Sequence, residues 1–305
     1  MRILITGCAG HFGSFLCNWF LGSGNEVIGI DCLMYGGEGM RSFISHPRFN
    51  FIKWDLRKGM PIFEKIPDVI IHLAGIVGRS CEKRLQEAWE INVTASQKVG
   101  LWANDCNVKL IFASTCSNYG ISSTFVDESS SLNPLGAYAK TKVEAEKFIL
   151  GLECDKIVLR FATLAGISPR PRFDTLLNEW VKDACTDGVV KCYNPLSFRP
   201  FVHLGDAATA IQRAIWGFHG YHQDLYNVIS FNTTKGELAR QIRKTTNCKV
   251  EESGDMDTRD YAVNYERIAK HFNFVPKYSL QQCIDELVLG VKWGIIWGDQ
   301  IYTND

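Results

Sequence analysis

The feature that most constrains the fold is a regular alternation, through the first half of the chain, of short apolar runs and longer amphipathic stretches. The runs rich in β-branched residues predict buried strands at Arg2–Thr6, Glu26–Asp31, Phe49–Trp54, Asp68–Leu73, Lys109–Ser114 and Lys156–Phe161. The stretches with apolar residues at helical spacing are His11–Leu21, Leu85–Asp105 and Leu135–Leu152. This alternation predicts an α/β fold in which a doubly wound parallel sheet carries helices on both faces. Ligands of such sheets bind beyond the carboxyl ends of the strands.

The pattern loosens after about residue 162. A segment rich in proline and arginine, Ile167–Arg172, separates the regular half from a more mixed one. In this second half we predict a strand at Leu225–Ile229 and helices at Phe173–Ala184, Ala207–Trp216, Lys235–Lys244, Glu266–Phe272 and Gln281–Trp293. We therefore expect a Rossmann-type domain over residues 1–162 and a smaller mixed α/β lobe over residues 163–305, with elements interleaved with the last strands of the sheet.

Composition and charge exclude several classes of protein. Hydrophobic residues make up 46% of the chain and charged residues 22%, which excludes a disordered or fibrous protein. Lys+Arg and Asp+Glu both number 33, so that a nucleic-acid partner bound by a basic field is not expected. The longest apolar stretch, Val69–Val77, is too short to span a bilayer, and we expect no membrane partner.

The eleven cysteines are scattered singly along the chain. They form no CxxC pair and show no Cys/His ligand spacing, so the sequence predicts no metal site. Their number is odd, and the chain opens directly on the first predicted strand, without a charged and apolar leader. We therefore expect reduced, mostly buried thiols in a cytoplasmic protein.

A glycine-rich segment, TGCAGHFG, joins the first predicted strand to the first predicted helix. Gly7 permits the tight turn, Gly10 lets the backbone approach a pyrophosphate, and Gly13 allows the helix to pack closely on the strand. His11 and Phe12 open the helix, whose first N–H groups can bind an anion. The segment therefore indicates a dinucleotide site, although an ordinary strand–helix turn can have the same glycines.

Two acidic residues follow predicted strands where a dinucleotide would lie. Asp31 ends the second strand, the usual position of the acid that binds the adenosine ribose. Because a carboxylate there would repel a 2′-phosphate, the sequence favours NAD over NADP. Asp55 and Leu56 end the third strand and could flank the adenine, although Asp55 also suits a simple turn.

A tyrosine and a lysine lie four residues apart on the predicted helix Leu135–Leu152. Tyr138 and Lys142 share one helix face, and a nearby ammonium stabilises a phenolate, so that Tyr138 could act as a base. The YxxxK spacing alone arises by chance on the order of once in a chain with ten tyrosines. Thr115, at the ligand edge of the fifth strand, and the glycine-rich segment occur in the right order before it. The three signals together indicate a catalytic site.

These motifs resemble those of the extended short-chain dehydrogenase/reductases of the NAD-dependent nucleotide-sugar epimerase/dehydratase type. The resemblance covers nearly all of the chain, and is closest to a branch of sugar-nucleotide 4-epimerases and 4-dehydrogenases. It implies an NAD-binding domain over residues 1–162 and a nucleotide-sugar-binding lobe over residues 163–305. The motifs that carry it are TGCAGHFG, Asp31, Asp55-Leu56, HLAG (72–75), Asn92, STCSNYG (114–120), YAKTK (138–142), LRFATLAGISPRPRFD (159–174), RPFVHLGDAA (199–208) and DTRDYAV (257–263).

The resemblance implies a role for each matching residue. Tyr138 takes a proton from a sugar hydroxyl, usually at C4, while hydride passes to the nicotinamide. Thr115 bonds the same oxygen, and Lys142 holds the nicotinamide ribose and lowers the pKa of Tyr138. The implied cofactor contacts of the HLAG segment and the helix that follows it are Leu73, Ala74, Gly75 and Asn92. Asn92 could equally be a plain polar residue of a helix.

The implied nucleotide-sugar contacts lie in the second half. Arg199 and Arg259 resemble the arginines that bind the diphosphate, and guanidinium groups suit this task physically, although both could be surface residues. Thr163 and Asn178 are further candidate substrate contacts, and Asn178 could instead be a polar position on an exposed helix. His203 is expected to be a packing residue.

The residues after Thr115 discriminate between reactions. Sugar 4,6-dehydratases of this family carry an acidic pair there, whereas this chain has Cys116 and Ser117. We expect Cys116 to be a packing thiol, with an acid/base role as the alternative. The sequence therefore favours 4-epimerisation through a transient 4-keto sugar over net 4-dehydrogenation, 4-keto reduction, decarboxylation or a non-catalytic NAD-binding role. Relatives often dimerise through the two helices predicted here at Leu85–Asp105 and Leu135–Leu152, and we expect a homodimer.

Overall fold

The computed structural model describes residues 1–217, 225–252 and 258–294. The strands are β1 (Arg2–Thr6), β2 (Glu26–Asp31), β3 (Phe49–Lys53), β4 (Val69–His72), β5 (Lys109–Thr115), β6 (Ile121–Val126), β7 (Lys156–Phe161), β8 (Thr163–Ala165), β9 (Val189–Cys192), β10 (Phe198–His203), β11 (Leu225–Val228), β12 (Phe231–Thr234), β13 (Lys249–Glu252) and β14 (Asp260–Val263). The α-helices are α1 (His11–Gly22), α2 (Ser80–Lys83), α3 (Leu85–Trp89), α4 (Ser96–Asp105), α5 (Gly136–Leu150), α6 (Leu176–Thr186), α7 (Leu204–Trp216), α8 (Lys235–Thr246), α9 (Glu266–Phe272) and α10 (Leu280–Lys292). A π-helical segment, Glu90–Ala95, joins α3 to α4, and short 3₁₀ turns lie at Glu38–Met40, Leu56–Lys58 and Cys116–Tyr119.

The large sheet has seven strands in the order β11-β7-β5-β4-β1-β2-β3, and every neighbouring pair runs parallel. The order reverses between β1 and β4, since β2 and β3 extend the sheet on one side and β5, β7 and β11 on the other. In a doubly wound sheet, this reversal opens a crevice beyond the carboxyl ends of the strands. The predicted α/β fold, with a Rossmann-type parallel sheet and a C-terminal lobe, is confirmed.

The sheet is buried on both faces because its strands are apolar at consecutive positions. Ile3 and Ile5 of β1 pack into one cluster, which also includes Leu16 of α1 and Ala207 of α7. Leu4, between them, points to the other face and packs with residues of α4 and α5. Each strand thus contributes to two helical layers, and the sheet fixes where its strand ends lie.

The lobe consists of small sheets and a helical cluster. β10 pairs antiparallel with β12 and parallel with β8, β9 pairs with β13, and β6 pairs with β14. Helices α6, α8 and α10 pack around buried residues such as Leu177, Leu238 and Ile284. The halves of the chain interleave, since β11 lies at the edge of the large sheet and β6 pairs within the lobe.

The elements predicted in the first half begin and end within one or two residues of those observed, but the helix predicted at Leu85–Asp105 is divided by the π-helical segment, and β6 and α2 were not predicted. In the second half, the helix predicted at Phe173–Ala184 begins later, at Leu176, and that predicted at Ala207–Trp216 begins earlier, at Leu204. The second shift has a local cause, because the side chain of His203 accepts a hydrogen bond from the Gly205 N–H and caps the helix three residues before its apolar pattern becomes clear. Asp257, which opens the DTRDYAV motif, lies outside the described residues. Among the helices that the structure describes, none has the length and apolar character needed to cross a membrane.

Candidate active site

A cleft of about 650 Å³ lies at the carboxyl ends of the central strands, between the large sheet and the lobe. Most of the residues predicted for the site line it: Gly7, Gly10, His11, Phe12, Gly13, Asp31, Asp55, Leu56, Leu73, Ala74, Gly75, Thr115, Tyr138, Lys142, Thr163, Arg199 and Arg259. Asn92 and Asn178 lie behind its walls. The fold therefore brings residues more than 250 positions apart into one cavity.

The glycine-rich loop forms a cradle at one end of the cleft. Gly7 has a φ of +71°, a conformation that favours glycine, and turns the chain out of β1. A Cβ at Gly13 would lie 2.0 Å from the carbonyl oxygen of Gly7, so that α1 can pack on the loop only without a side chain there. Gly10 caps α1 without a side-chain hydrogen bond, and no acidic residue lies in the first turn. This helix N-terminus fits a pyrophosphate.

Two carboxylates line the wall beyond this loop. Asp31 accepts hydrogen bonds from the N–H groups of Ala9 and Leu33, at 3.1 Å and 2.8 Å, and its burial raises its pKa. Asp55 forms a bidentate ion pair with Arg57, whose hydrogen bonds lower the pKa of Asp55. Asp31 is therefore fixed at the second strand end, as a ribose-binding acid would need to be, whereas the carboxylate of Asp55 is engaged within its own turn.

A buried histidine holds the HLAG segment in place. The Thr6 Oγ1 accepts hydrogen bonds from the N–H groups of Leu73 and Ala74, which leaves its hydroxyl proton for the Nδ1 of His72 at 2.7 Å. The Nε2 of His72 then donates to the Ser96 Oγ at 2.9 Å. Burial lowers the pKa of His72 to about 3, so the ring is neutral. The network fixes the loop that forms the middle of the cleft.

Asn92 lies in the π-helical segment and supports the same loop from behind. Its Oδ1 accepts from the N–H of Ile76 at 2.8 Å, and its Nδ2 donates to the Ile76 carbonyl oxygen at 2.9 Å. The Nδ2 also lies 3.0 Å from the Oγ1 of Thr141, on the helix of Tyr138 and Lys142. Asn92 thus joins the cleft loop to α5; its expected contact with a cofactor stays a prediction. Apolar periodicity gives no sign of the widened π turn.

Thr115, Tyr138 and Lys142 meet at the centre of the cleft. The hydroxyl of Thr115 lies close enough to Tyr138 to lower its pKa. Burial, more than the nearby Cys81, raises the pKa of Tyr138 to about 12, while Arg172 and Thr115 act in the opposite direction. Burial lowers the pKa of Lys142 to about 8, and its Nζ lies 4.1 Å from the ring centroid of Phe112. At neutral pH, Tyr138 is a phenol and Lys142 chiefly an ammonium.

Two arginines converge beyond this centre, on the side of the lobe. Arg199 lies over the ring of Tyr261, 5.7 Å from its centroid, and is 3% exposed. The Nη1 of Arg259 lies 3.5 Å from the Oγ of Ser117, two residues after Thr115. Burial raises the pKa of Tyr261, and the positive charges of both arginines lower it to a smaller extent. Both guanidinium groups therefore lie near this one ring. Two guanidiniums beside one another suit a diphosphate.

The remaining predicted residues have supporting positions. The Nδ2 of Asn178 donates to the carbonyl oxygens of Gly166 and Arg172, so that its amide holds the Pro/Arg-rich loop. Cys116 is buried, its thiol donates to the carbonyl oxygen of Arg160, and burial raises its pKa; it packs as expected. His203 also packs, against Tyr278 at a centroid distance of 3.7 Å.

Three acidic residues that sequence reasoning did not assign to the site also line the cleft, beside Arg172, which it gave as a weaker candidate. Arg172 and Asp174 form a bidentate ion pair at 2.8 Å and 2.7 Å, and Glu179 follows on α6. Glu82 of α2 accepts the N–H of Ala137 at 2.6 Å, at the start of the helix that carries Tyr138. No local signal identified these acidic residues, because their places depend on how distant loops meet.

The imidazole of His11 is a second feature that the sequence did not reveal. Its Nδ1 lies 2.8 Å from the Oγ of Ser168 and 3.1 Å from the carbonyl oxygen of Arg170. Burial, with Arg172 next, lowers the pKa of His11 to about 3. A neutral ring thus connects the glycine-rich loop with the Pro/Arg-rich loop of the lobe.

Comparisons with known proteins agree with this geometry. The model of the NAD dependent epimerase/dehydratase family matches residues 3–228. The chain belongs to this family. Membership confirms that it is an enzyme of the epimerase/dehydratase type, and that its cofactor is NAD. It also confirms the family resemblance on which the site residues were assigned.

Individual members of the NAD dependent epimerase/dehydratase family resemble the chain over most of its length. The uncharacterized UDP-glucose epimerase YtcB of Bacillus subtilis (strain 168) is 32% identical over 228 residues, which are 69% of this chain and 71% of that protein. The UDP-glucuronic acid 4-epimerase of Bacillus cereus, in complex with UDP-glucuronic acid and NAD, superposes with a TM-score of 0.82 at 21% identity, covering 96% of this chain and 99% of that one.

A dehydratase superposes equally well. The dTDP-glucose 4,6-dehydratase of Bacillus anthracis str. Ames, in complex with NAD, gives a TM-score of 0.84 at 24% identity, covering 97% of this chain and 98% of that one. At these identities the two solved structures establish the fold that they share with this chain. Because the fold is common to epimerases and dehydratases, the reaction has to be inferred from the site.

Proposed function

We propose that the chain is an NAD-dependent nucleotide-sugar 4-epimerase. The observation that carries the proposal is the cleft itself, which joins Thr115, Tyr138 and Lys142 to a dinucleotide cradle on one side and to Arg199 and Arg259 on the other. The names of relatives such as the B. subtilis UDP-glucose epimerase and the B. cereus UDP-glucuronic acid 4-epimerase point in the same direction.

The cleft fits NAD at the glycine-rich end. The N-terminus of α1 would hold the pyrophosphate, since the side-chain-free surface of Gly10 lines the cleft there. Asp31 would accept hydrogen bonds from the hydroxyls of the adenosine ribose. Lys142 would donate hydrogen bonds to the hydroxyls of the nicotinamide ribose. When bound, oxidised NAD supplies a hydride acceptor for the sugar C4 and a positive charge that lowers the pKa of a neighbouring phenol.

The protein residues would move one proton and hold one oxygen. Once the bound cofactor has favoured its phenolate form, the Tyr138 Oη would take the proton of the C4 hydroxyl and return it when the sugar is reduced again from the opposite face. The Thr115 Oγ1, beside Tyr138, would orient the same sugar oxygen. Arg199 and Arg259 would neutralise the diphosphate and so anchor the nucleotide while the transient 4-keto sugar turns.

The residues after Thr115 favour epimerisation over dehydration. A 4,6-dehydratase has to remove a C5 proton and protonate a leaving hydroxyl. Cys116 is buried behind the cleft with a raised pKa, and Ser117, which lines the cleft, carries no acidic group. This chain therefore lacks the acidic pair at the two positions where dehydratases of the family carry it.

Two further features belong to the proposal. The helical segment from Leu85 to Asp105 exposes Leu85, Trp89 and Leu101, which supports a homodimer built on this helix and α5. The eleven cysteines are all free thiols, which supports a reducing, cytoplasmic location. Sedimentation analysis of the purified protein would test the dimer, and a monomer at micromolar concentration would contradict it.

The reaction is tested with a panel of UDP-, GDP-, CDP- and dTDP-sugars, with products followed by NMR. We expect one nucleotide sugar to convert into its C4 epimer without net consumption of NAD. Stoichiometric keto sugar with reduced cofactor would replace the epimerase by a 4-dehydrogenase, and a requirement for added reduced cofactor would replace it by a 4-keto reductase. Loss of water from the sugar would instead indicate a dehydratase.

A further inference from the structure

A buried ion pair lies directly behind the catalytic centre. The carboxylate of Glu146 accepts hydrogen bonds from the Nε of Arg160 at 3.2 Å and 3.1 Å, and further bonds from Ser114 at 2.5 Å and Asn118 at 3.2 Å. The side chains of Glu146 and Arg160 are 2% and 4% exposed. Both carboxylate oxygens are thus engaged within the protein, without lining the cleft.

The partners of this carboxylate connect the elements that carry the catalytic residues. Glu146 lies four residues after Lys142 on α5, and therefore one turn along the same face of the helix. Ser114 immediately precedes Thr115 at the end of β5. Arg160 comes from β7, the next strand of the sheet. The side chain of Glu146 therefore joins α5, β5 and β7, the elements that carry or adjoin Thr115, Tyr138 and Lys142.

The surroundings of Lys142 depend on the same carboxylate. Burial lowers the pKa of Lys142, while Glu146, and to a lesser extent Cys81 of α2, act in the opposite direction. His72 of β4 also faces Lys142 but is neutral, and from β5 the ring of Phe112 contacts the ammonium. Tyr138, one turn earlier on α5, is a phenol at neutral pH. Glu146 is thus the anion, among these groups, that compensates the buried ammonium.

We propose, on the basis of the function inferred above, that Glu146 is a positioning residue for the reaction, which holds Lys142 charged and in register with Thr115. A buried ion pair adds little net stability, since apolar residues of the same volume often serve as well. A carboxylate at this place has a consequence that apolar packing lacks, because it stabilises a positive charge one helical turn away. The test therefore has to separate charge from packing.

The decisive variant is Glu146→Gln, which keeps the shape and the hydrogen-bond acceptor of the side chain but removes its charge. Lys142 has to be protonated to hold the nicotinamide ribose, so activity falls on the alkaline side as Lys142 loses its proton. In the variant this alkaline limb of the kcat/KM profile moves down by about one pH unit.

A second readout does not depend on turnover. The rate at which acetic anhydride acylates Lys142 follows the fraction of free amine, and peptide mass spectrometry measures it in the protein without substrate. Its pH dependence moves down with that of kcat/KM in Glu146→Gln. Lys140, exposed on the same helix, is the internal reference. If the sugar panel shows no turnover, the proposed function fails, while this measurement still decides the role of Glu146.

The chain offers a matched control for the loss of charge and another for the loss of packing around Arg160. Glu144→Gln removes a charge from the same helix, but at an exposed position paired with Lys147, and leaves both pH profiles unchanged. Tyr119→Phe removes the hydroxyl that bonds Arg160 and Asn227, so it lowers the melting temperature without moving either profile. Glu146→Asp keeps the charge and retains the alkaline limb near that of the natural protein.

The outcomes either support or overturn the proposal. If Glu146→Gln lowers the melting temperature as Tyr119→Phe does and both profiles stay in place, Glu146 is a packing residue and the proposal is wrong. If Glu146→Gln does not fold, Glu146→Gln/Arg160→Gln, which leaves no unpaired buried charge, replaces it. The profiles move down in this variant too, because Glu146 is the main charge that opposes burial at Lys142. Unmoved profiles in that double variant would also overturn the proposal.

Discussion

The two walls of the cleft present different chemical groups to their ligands. The cofactor wall includes a backbone cradle, with Gly7, Gly10 and Gly13 after β1 and N–H groups at the start of α1. The wall formed by the lobe includes several charged side chains, among them Arg172 and Arg259 on loops. A backbone wall recognises what every member of a family binds, whereas a side-chain wall can change with the substrate. The difference suggests which substitutions affect the cofactor and which affect the sugar.

The largest effect is expected where the two walls meet, in Tyr138→Phe. The variant lacks the hydroxyl that takes the proton, so turnover falls by about 10³-fold or more. Because the phenyl ring fills the same space, the melting temperature and the affinity for NAD change little. NMR assay of the epimer and a fluorescence titration with NAD measure the two quantities. Activity within tenfold of the natural protein would show that another group is the base.

On the cofactor wall, Gly13→Ala should affect the fold and the cofactor together. The added Cβ would lie 2.0 Å from the Gly7 carbonyl oxygen, so α1 has to move away from the loop. We expect the free energy of unfolding to fall by about 2 kcal/mol, with weakened NAD binding. Gly22→Ala, on the same helix, is the matched control, since its Cβ would meet no atom within 4 Å. Chemical denaturation would contradict this account if the two variants lost equal stability.

On the opposite wall, Arg259→Gln should act on the sugar nucleotide and leave the cofactor site unchanged. Removal of one charged contact to a diphosphate raises KM by about tenfold, with a smaller change in kcat and none in NAD affinity. Arg240→Gln, which removes an exposed arginine from the same lobe, should change neither constant. Steady-state kinetics with the substrate found in the panel would measure this. An equal loss of NAD affinity would mean that the walls are not separable.

The sequence was sufficient to predict the cofactor wall, and the reason is local geometry. From β1 through Gly7 to α1, each residue is placed by its neighbours in the chain, and the parallel sheet brings Asp31 and Thr115 to the same edge. Apolar periodicity alone gives those elements to within a residue or two. Strand ends of a parallel sheet are therefore readable without a structure.

On the lobe's wall, Thr163, Arg199 and Arg259 were predicted from the family motifs, but many supporting contacts of the cleft could not be predicted, because they join distant parts of the chain. The His11 Nδ1 lies 2.8 Å from the Oγ of Ser168, 157 positions away in the lobe, and within the first half Glu82 accepts the N–H of Ala137, 55 positions away. No periodic spacing in the sequence predicts either contact, and a charged residue in a loop is usually exposed to solvent. The supporting role of Asn178 was missed for a related reason, since its partners are carbonyl groups of a loop.

The place of β11 has a consequence for cutting the chain. A fragment ending at Ala162 would keep the whole glycine-rich loop and the YxxxK helix, but would lose the strand that pairs with β7 from Val158 to Phe161. β7 would then be the outermost strand, with a bare row of amide and carbonyl groups and buried side chains such as Leu159 uncovered. Such an edge recruits strands from other molecules. The first half would therefore not make an excisable module, because a fragment without Leu225–Val228 leaves the edge of β7 unpaired.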